Sequence, residues 1–463
     1  MKHSRSAVHC KTSKIPTLHF EDHALTSFSG LVVFQGLFAR LGLKEQLSRC
    51  FSHLACGSIF GYHLIVLSLV VHLLLGYRRL RECKSYDDDP MVKRLLGLSR
   101  LPDVATLSRA LAQADRRSVE KFRALVRELA VERLRQLKLQ RVTLDFDGSV
   151  QSTSRWAEGT AVGFNKKKKG ARSYYPLFCT IAQTGQVLDV LHRPGNVHDS
   201  NGAQAFVLEC IGRLREALPG VKIEIRMDSA FFSHQMAETL HSHRVEFTVS
   251  VPFERFVELK VMIEGRLRWR HFNDEWSFFE TPWKPKSWHR RYRFVFLRHK
   301  VPQQHKEPIQ LDLFIPHQWG YDFKVILTNK HIRMKKVVAF HNGRGAQENL
   351  FGELKSQCQM DYIPVRTLAG NQTYLLCAIL AHNLARELQM VANPPQRHTT
   401  EKRAPLWIFQ ELNTLRRNFI QRAGRFSWPQ GRLTLTLGLN DTLKATLLHY
   451  LGALGYQVGT ART

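Results

Sequence analysis

The sequence predicts an α/β protein with a helical first part, and three patterns carry this prediction. Helical periodicity dominates residues 1–138, strand-like and helix-like segments alternate over 139–254, and strand-like alternation fills 255–335. The 463 residues suffice for about three domains of roughly 150 residues each. We therefore expect an α/β core that follows a helical N-terminal domain and is interrupted by a β-rich insertion.

Residues 1–138 are expected to form helices and to serve in DNA binding or dimerisation. The apolar run 58–76 is nearly long enough to span a bilayer, but two histidines and a serine interrupt it, so we interpret it as a buried core helix. Asp89 followed by Pro90 suits a helix start, and Gly97 suits a helix end. Two short helices joined by a turn are typical of helix-turn-helix DNA readers, and equally of a plain helical bundle.

Residues 139–254 alternate between strands and helices and form the first part of the expected core. Strand-like patterns cover 141–150, 174–182, 187–192, 222–228 and 245–251, with helical patterns at 201–217 and 233–244. Three antiparallel strands followed by helix, strand, helix and strand are typical of an α/β layer.

The rest of the chain divides into three segments. Residues 255–335 are rich in aromatic side chains and arginine and form the β-rich insertion. Residues 336–395 return to helical patterns and end at a pair of prolines. The basic C-terminal region, 396–463, is expected to hold a hairpin and a last helix.

Charge indicates the class of partner. The chain has 68 Lys and Arg against 39 Asp and Glu, a net charge of +29. This excess costs self-repulsion, and its usual use is to hold a polyanion, so nucleic acid is the expected partner, with an anionic membrane surface or a ribosomal location as the alternatives. The eight cysteines include no C-x-x-C pair, and no apolar segment follows the basic N-terminus. We therefore expect a protein of the reducing cytoplasm with no membrane association.

Acidic residues at the ends of two strands suggest a metal site. Asp145 and Asp147 stand two apart in one strand, so both point to one face, and Asp228 ends a second strand. A carboxylate in an apolar strand is costly unless it has a partner such as a metal ion. Oxygen ligands suit Mg²⁺ or Mn²⁺.

A helix near residue 350 adds a third carboxylate. At 100° per residue, Arg344, Glu348 and Lys355 share one stripe, with His341 one turn earlier. Alone, this stripe is equally explained by ion pairs on an exposed helix. Together with the strand carboxylates, Glu348 could complete a site for two metal ions about 4 Å apart, which suits phosphoryl transfer on DNA.

At these residues the sequence resembles the DDE transposases of bacterial insertion sequences that carry a Y-R-E-K signature. The spacing of that signature is met by His341, Arg344, Glu348 and Lys355, with histidine in place of tyrosine. The blocks LDFDGSV, RMDSAFFS and HNGRGAQENLFGELK are similar to the insertion-sequence group numbered 1380. The resemblance extends from about residue 60 to residue 440.

The resemblance implies an RNase H-like catalytic core with a β-strand insertion and a metal-binding triad of Asp147, Asp228 and Glu348. Asp145 is the competing choice for the first position, and we prefer Asp147 because Gly148 and Ser149 follow it. The implied cofactor is two Mg²⁺ or Mn²⁺ ions.

The resemblance also implies how the chain handles double-stranded DNA. Arg344 and Lys355 would contact phosphates near the cleavage point, with His341 in the role of the tyrosine. A homodimer would cut both ends of the element and join their 3′-OH groups to target DNA, by a cut-and-paste route through end hairpins. The protein would act at the bacterial nucleoid.

Further DNA contacts are expected from two basic segments. Residues 284–306 hold eight Lys and Arg and no acid, with aromatic side chains between them. The candidates there are Trp288, Arg290, Arg291, Arg293 and Arg298, and those in the loop 163–172 are Lys166, Lys167, Lys168 and Lys169. Related transposases hold a flipped base with a tryptophan from the insertion; Trp269, Trp276, Trp283 and Trp288 are candidates, although each could equally pack the insertion's core.

Two other functions compete with transposition. A nuclease on the same fold would cleave DNA without joining it, and the Y-R-E-K helix favours transposition over this alternative. A catalytically inactive DNA-binding protein descended from a transposase is the other, and the intact set of Asp147, Asp228 and Glu348 argues against it.

Overall fold

The computed structural model describes residues 15, 17–54, 59–163, 165, 168–197, 201–300, 321–457 and 459. Two of the candidate DNA contacts, Lys166 and Lys167, lie outside these residues, as does the end of the basic segment 284–306.

Helices form most of the N-terminal part, as predicted, and recur after the strands. In the described residues the helices are α1 (Leu31–Leu41), α2 (Leu43–Phe51), α3 (Tyr62–Leu74), α4 (Pro90–Leu96), α5 (Val104–Ala112), α6 (Arg116–Leu137), α7 (Ala203–Ala217), α8 (His234–Ser242), α9 (Val257–Glu264), α10 (Met334–Asn342), α11 (Gly345–Gln357), α12 (Leu368–Ala392), α13 (Leu412–Leu415) and α14 (Asp441–Ala453).

Strands occupy the middle of the chain and its two ends. They are β1 (Leu25–Thr26), β2 (Arg141–Gly148), β3 (Gln151–Thr153), β4 (Ala161–Val162), β5 (Arg172–Tyr174), β6 (Leu177–Ile181), β7 (Gln186–Leu191), β8 (Lys222–Met227), β9 (Glu246–Val251), β10 (Arg270–His271), β11 (Trp276–Trp283), β12 (Tyr292–Lys300), β13 (Tyr321–Thr328), β14 (Gly424–Ser427) and β15 (Thr434–Leu437).

The sequence signals for α4 are confirmed. The Asp89 carboxylate accepts hydrogen bonds from the backbone N–H groups of Met91 and Val92, Pro90 occupies the first turn, and Gly97 ends the helix in the left-handed region. Residues 97–103 connect α4 to α5, which is longer than the three to four residues of a helix-turn-helix turn. A helical bundle therefore describes this part better.

The apolar run near residue 65 forms α3, which is buried against α2 and α12. Its side chains contribute to a large apolar core that also contains residues of α1, α12 and the C-terminal region. Among the described helices, none combines the length and the apolar character needed to cross a bilayer.

The central sheet has nine strands in the order β10-β11-β12-β13-β9-β8-β2-β6-β7. Strand β2 is antiparallel to β6 and parallel to β8, and β8 is parallel to β9, which confirms the predicted α/β layer. Strand β13 pairs antiparallel with β9, so the strands of the β-rich segment continue the same sheet. This pairing brings the β-rich segment to the strands that carry the candidate site.

The two ends of the chain meet in a smaller sheet. Strand β1 pairs with β14 of the hairpin β14–β15, the hairpin expected from the sequence. Nearby, the buried Arg416 donates hydrogen bonds to the carbonyl groups of Leu73 and Leu74 at the end of α3. The C-terminal region thus completes the core of the N-terminal helices.

Candidate active site

Two aspartates occupy neighbouring positions where the parallel strands β2 and β8 end. The register pairs Phe146 of β2 with Met227 of β8, so Asp147 and Asp228 are the next residues along each strand. Neighbouring strands lie about 4.8 Å apart, and paired residues point to the same face. Asp147 also accepts a hydrogen bond from the Gly148 N–H at 2.8 Å.

The same register places a ladder of polar residues beneath this pair. The paired residues are Thr143 with Glu224 and Asp145 with Arg226, and the opposite face carries Val142, Leu144, Phe146, Ile223, Ile225 and Met227. That opposite face lies in an apolar core with residues of α7 and α8. One face of β2 and β8 is therefore hydrophobic, and the other is polar up to the candidate site.

Asp145 has a protein partner. Its two oxygens accept hydrogen bonds from Nε and Nη2 of Arg226 at 2.5 and 2.6 Å, and both side chains are buried. The cost of burying this carboxylate, which the sequence interpretation assigned to a metal ion, is offset here by a bidentate ion pair. In this arrangement both Asp145 oxygens are engaged, whereas Asp147 lies at the open end of the ladder.

Arg226 also joins the strands to the elements that cover them. Its Nη1 donates to the carbonyl oxygen of Phe340 in α10 at 3.1 Å and to that of Lys402 at 2.8 Å. A Cβ at Gly343 would lie 2.0 Å from this Nη1 and 2.0 Å from the Lys402 carbonyl oxygen. The glycine between α10 and α11 therefore permits the close approach.

Deeper in the ladder, Glu224 is fully buried among cations. Its oxygens accept hydrogen bonds from Arg141, Lys330 and Arg403, and from the Thr143 hydroxyl. Burial raises the pKa of Glu224, but the hydrogen bonds and charges of Arg403 and Lys330 outweigh burial and lower it to about 2. This network holds the far ends of β2 and β8 and the C-terminal segment together.

Helix α11 brings Glu348 to the same place. Nη1 of Arg344 lies 3.1 Å from Oδ2 of Asp147, and Nη2 lies 3.8 Å from Oε1 of Glu348. Gln347 donates to the backbone carbonyl of Asp145 at 3.0 Å, which docks the helix on β2. Glu348 itself is 67% exposed. Lys355 is half-buried in the last turn of α11.

His341 is buried beneath this helix. Its Nδ1 lies 3.0 Å from the Thr248 hydroxyl and its Nε2 lies 2.9 Å from the Ser250 hydroxyl, both on β9. Burial, together with the charges of Lys324 and Arg344, holds the pKa of His341 well below its usual range. The imidazole is therefore neutral, and in this arrangement both ring nitrogens are engaged by strand β9.

Lys324 is a charged residue of this region that the sequence analysis missed. It lies on β13 and donates a hydrogen bond to the Asn342 side chain at 2.9 Å. Burial and the charge of Arg344 lower the pKa of Lys324, and Glu348 opposes this shift. The only signal in the sequence is a single lysine within the apolar stretch 323–327.

The basic segment of the β-rich region lies close to the turn that follows Asp228. Trp288 is 5% exposed and stacks on Phe232, with ring centroids 5.1 Å apart. Its neighbours Arg290 and Arg291 are exposed, and Arg290 lies 3.6 Å from a carboxylate oxygen of Glu238. Trp288 thus anchors a loop whose arginines face solvent.

Arg293 and Arg298 are engaged within the sheet. Arg293 forms an ion pair with Glu280 and donates to the carbonyl oxygens of Lys330 and Ile332. The Arg298 guanidinium lies over the Trp269 and Tyr321 rings, at 4.6 and 4.5 Å from their centroids.

The tryptophans and the lysine loop differ in their exposure. Trp283 is buried, and Trp269 and Trp276 are half-buried. Trp156 and Trp428 are exposed. Lys168 and Lys169 are exposed in the loop between β4 and β5.

The donor set suits a hard cation only in part. Among the described residues, no group of three or more His, Cys, Asp or Glu side chains could hold a metal ion in the arrangement seen. Asp147 and Asp228 are neighbouring oxygen donors, whereas Glu348 is separated from them by the Arg344 guanidinium. A third carboxylate would come from Glu348, whose side chain is exposed.

The chain is similar to three solved transposase structures. A piggyBac transposase synaptic complex with hairpin DNA is 12% identical with a TM-score of 0.43, over 84% of this chain and 79% of that one. The Mos1 transposase paired-end complex with the left transposon end is 11% identical with a TM-score of 0.18, over 42% and 60%. A Mos1 mariner paired-end complex with Mn is 13% identical with a TM-score of 0.17, over 36% and 56%.

No curated protein matches the sequence. The family model described as "Transposase DDE domain group 1" matches residues 9–454, nearly the whole chain. The protein therefore belongs to the DDE-domain transposase family, as the sequence motifs predicted.

Proposed function

We propose that this protein is the transposase of a bacterial insertion sequence. It binds the terminal inverted repeats of its element, cleaves the element ends and joins the 3′-OH groups to target DNA. The main support is the position of Asp147 and Asp228 at the ends of adjacent parallel strands. The Arg344 guanidinium contacts both Asp147 and Glu348, which places Glu348 next to this pair.

The strand arrangement supports an RNase H-like core. In chain order β2, β6, β7, β8 and β9 take the spatial order 3-2-1-4-5, the first three antiparallel and the last two parallel to the first. Asp147 lies on the first of these strands, Asp228 directly follows the fourth, and Glu348 lies on a later helix.

We infer that the three carboxylates hold two Mg²⁺ or Mn²⁺ ions. When bound, such ions activate the attacking oxygen and stabilise the leaving oxygen of a phosphodiester. Asp147 and Asp228 supply oxygens from fixed strand ends, and Glu348 supplies one from a rotatable side chain. Asp145 holds Arg226 and so fixes the strand beneath Asp147.

The cations of the site have roles toward DNA. Arg344 leaves the carboxylates to contact a phosphate, and Lys355 contacts another along the same helix. The exposed Arg290 and Arg291, with the loop containing Lys168 and Lys169, extend the phosphate-binding surface. His341 fixes α10 on β9, and its neutral ring contributes no charge.

The protein acts as a homodimer, because two element ends must be cut and joined together. Cleavage proceeds through hairpins at the element ends. A tryptophan that holds a flipped base has to offer an open ring face. Trp288 would have to leave Phe232 to do so. Trp156, exposed and nine residues after Asp147, offers its ring without rearrangement.

The test is a cleavage assay on a labelled duplex from the end of the element that encodes the protein. The wild type is incubated with Mg²⁺, Mn²⁺ or EDTA beside Glu348→Gln. The matched control is Glu258→Gln, because Glu258 is also an exposed acid in the first turn of a helix. We expect metal-dependent cutting at the element boundary by the wild type and the control, and none by Glu348→Gln.

Each other result selects another function. Cleavage without joining to target DNA identifies a nuclease. Specific binding of the end duplex without cutting under any metal identifies an inactive DNA-binding protein. A hairpin among the products establishes the hairpin route.

A further inference from the structure

Lys324 lies among the charged residues of the active site. It comes from β13, the last strand of the β-rich segment, and its Nζ donates to Oδ1 of Asn342 at 2.9 Å. Asn342 ends α10 and precedes Arg344 by two residues. The hydrogen bond therefore holds the ammonium group at the junction of α10 and α11, close to the arginine that contacts Asp147 and Glu348.

Lys324 adds a second cation to the junction, beside Arg344. Within the described residues Lys324 makes no ion pair, and its hydrogen-bond partner is a neutral amide. Arg344 divides one guanidinium between two carboxylates, at 3.1 and 3.8 Å. The N-terminal end of the α11 dipole adds positive potential at the same point.

Burial first, and then the charge of Arg344, lower the pKa of Lys324; burial first, and then both cations, lower the pKa of His341. Like charges repel one another unless an anion lies between them. If Asp147 and Glu348 held metal ions, Arg344 would lose both carboxylate partners, and the two cations would need another anion.

We propose that Lys324 is a DNA-phosphate contact of the active site, acting with Arg344 on the backbone of the strand that is cut. A phosphodiester carries a negative charge that both cations can contact, and the Lys324 ammonium group has further N–H donors for it. The inference rests on the proposed function, because it takes the anion to be a DNA phosphate. It gives the β-rich segment a direct part in the site through β13.

The test measures how the affinity for DNA depends on salt. Full-length wild type, Lys324→Met and Lys324→Arg are titrated with the labelled end duplex from 50 to 200 mM salt, in EDTA and with Mg²⁺. The matched control is Lys222→Met, an exposed lysine at the other end of β8, about 20 Å from Asp228 at 3.3 Å per residue. Circular dichroism and thermal midpoints establish that each variant is folded. If Lys324→Met does not fold, Lys324→Gln is used in its place.

A plot of log K against log salt has a negative slope. We expect Lys324→Met to make this slope less steep by about 0.9, which corresponds to the loss of one phosphate contact. At 0.1 M salt this corresponds to roughly eight-fold weaker binding. Lys324→Arg keeps the charge and should keep the wild-type slope, and Lys222→Met should also keep it.

The outcomes separate this inference from the function on which it rests. A wild-type slope for Lys324→Met overturns the inference, even if the wild-type protein cuts and joins DNA. A reduced slope in a protein that never cuts keeps the phosphate contact and rejects the proposed catalysis. An equal reduction in Lys324→Met and Lys222→Met also overturns the inference, because it indicates general charge loss.

Discussion

Replacing Gly343 with alanine should uncouple strand β8 from α10 and from the segment around Lys402. The backbone of Gly343 has ordinary helical angles, so the requirement for glycine is steric. The new Cβ would lie 2.0 Å from Nη1 of Arg226 and 2.0 Å from the Lys402 carbonyl oxygen, where contacts below 3.0 Å essentially never occur. The guanidinium can move, but the carbonyl belongs to the backbone, so the segment around Lys402 must move with it.

The magnitude follows from the hydrogen bonds that the movement breaks. Nη1 of Arg226 donates to the carbonyl oxygens of Phe340 and Lys402, and a hydrogen bond to a charged group contributes about 1.5–3 kcal/mol. Loss of both costs roughly 3–6 kcal/mol. Alanine returns at most about 1 kcal/mol through its better helix propensity. The free energy of unfolding should therefore fall by about 2–5 kcal/mol.

Gly345→Ala is the matched control, because it is the same change two residues later and its Cβ meets no described atom within 4 Å. The assay is urea unfolding followed by tryptophan fluorescence, with the midpoint compared across wild type and both variants. Gly345→Ala should match or slightly exceed the wild type. If Gly343→Ala unfolds at the same urea concentration as Gly345→Ala, the hydrogen bonds of Arg226 to Phe340 and Lys402 do not stabilise the protein as we infer.

Three further predictions concern neighbouring residues. Asp145→Asn leaves a buried arginine without its carboxylate and should cost about 3–5 kcal/mol of stability in urea unfolding, whereas Asp147→Asn should abolish cleavage with little loss of stability. The pKa of Glu224 is lowered to about 2, so the ionised Glu224 stabilises the folded protein above pH 4.5, and this contribution disappears as the pH falls toward 2. In Glu224→Gln, the thermal midpoint should therefore fall less steeply between pH 4.5 and pH 2 than in the wild type. His341→Tyr introduces a larger side chain into a buried site, and urea unfolding should show a loss of about 1–3 kcal/mol of stability.

The strands that carry the site were predictable because their patterns are local. Alternation placed Asp145 and Asp147 on one face of β2 and Asp228 at the end of β8. The partner of Asp145 was not predictable in the same way, although Arg226 alternates with Glu224 and Asp228 in its own strand. The pairing depends on the parallel register of two segments 81 residues apart, which local periodicity does not encode.

Long-range packing explains the other differences. Sequence alternation predicted the strands of the β-rich segment. It did not predict that β13 pairs with β9, where Val325 faces Val251, and this pairing brings Lys324 to the site. Trp288 illustrates a different limit. A tryptophan among arginines suits stacking on DNA bases, and it suits stacking on a phenylalanine equally well; the position of Phe232 decides in this structure.

The contact between Arg416 and the end of α3 determines how late in translation the core of the N-terminal helices is completed. The hydrogen bond from Arg416 to the Leu73 carbonyl joins residues 343 positions apart, and β14 closes on β1 over a similar span. At roughly 5–20 residues per second, a ribosome needs about 20–70 s to make the intervening chain. The first helices to emerge therefore wait that long with part of their apolar surface uncovered. The core of the N-terminal helices is begun first and completed last, and a chain that ends before Arg416 leaves it unfinished.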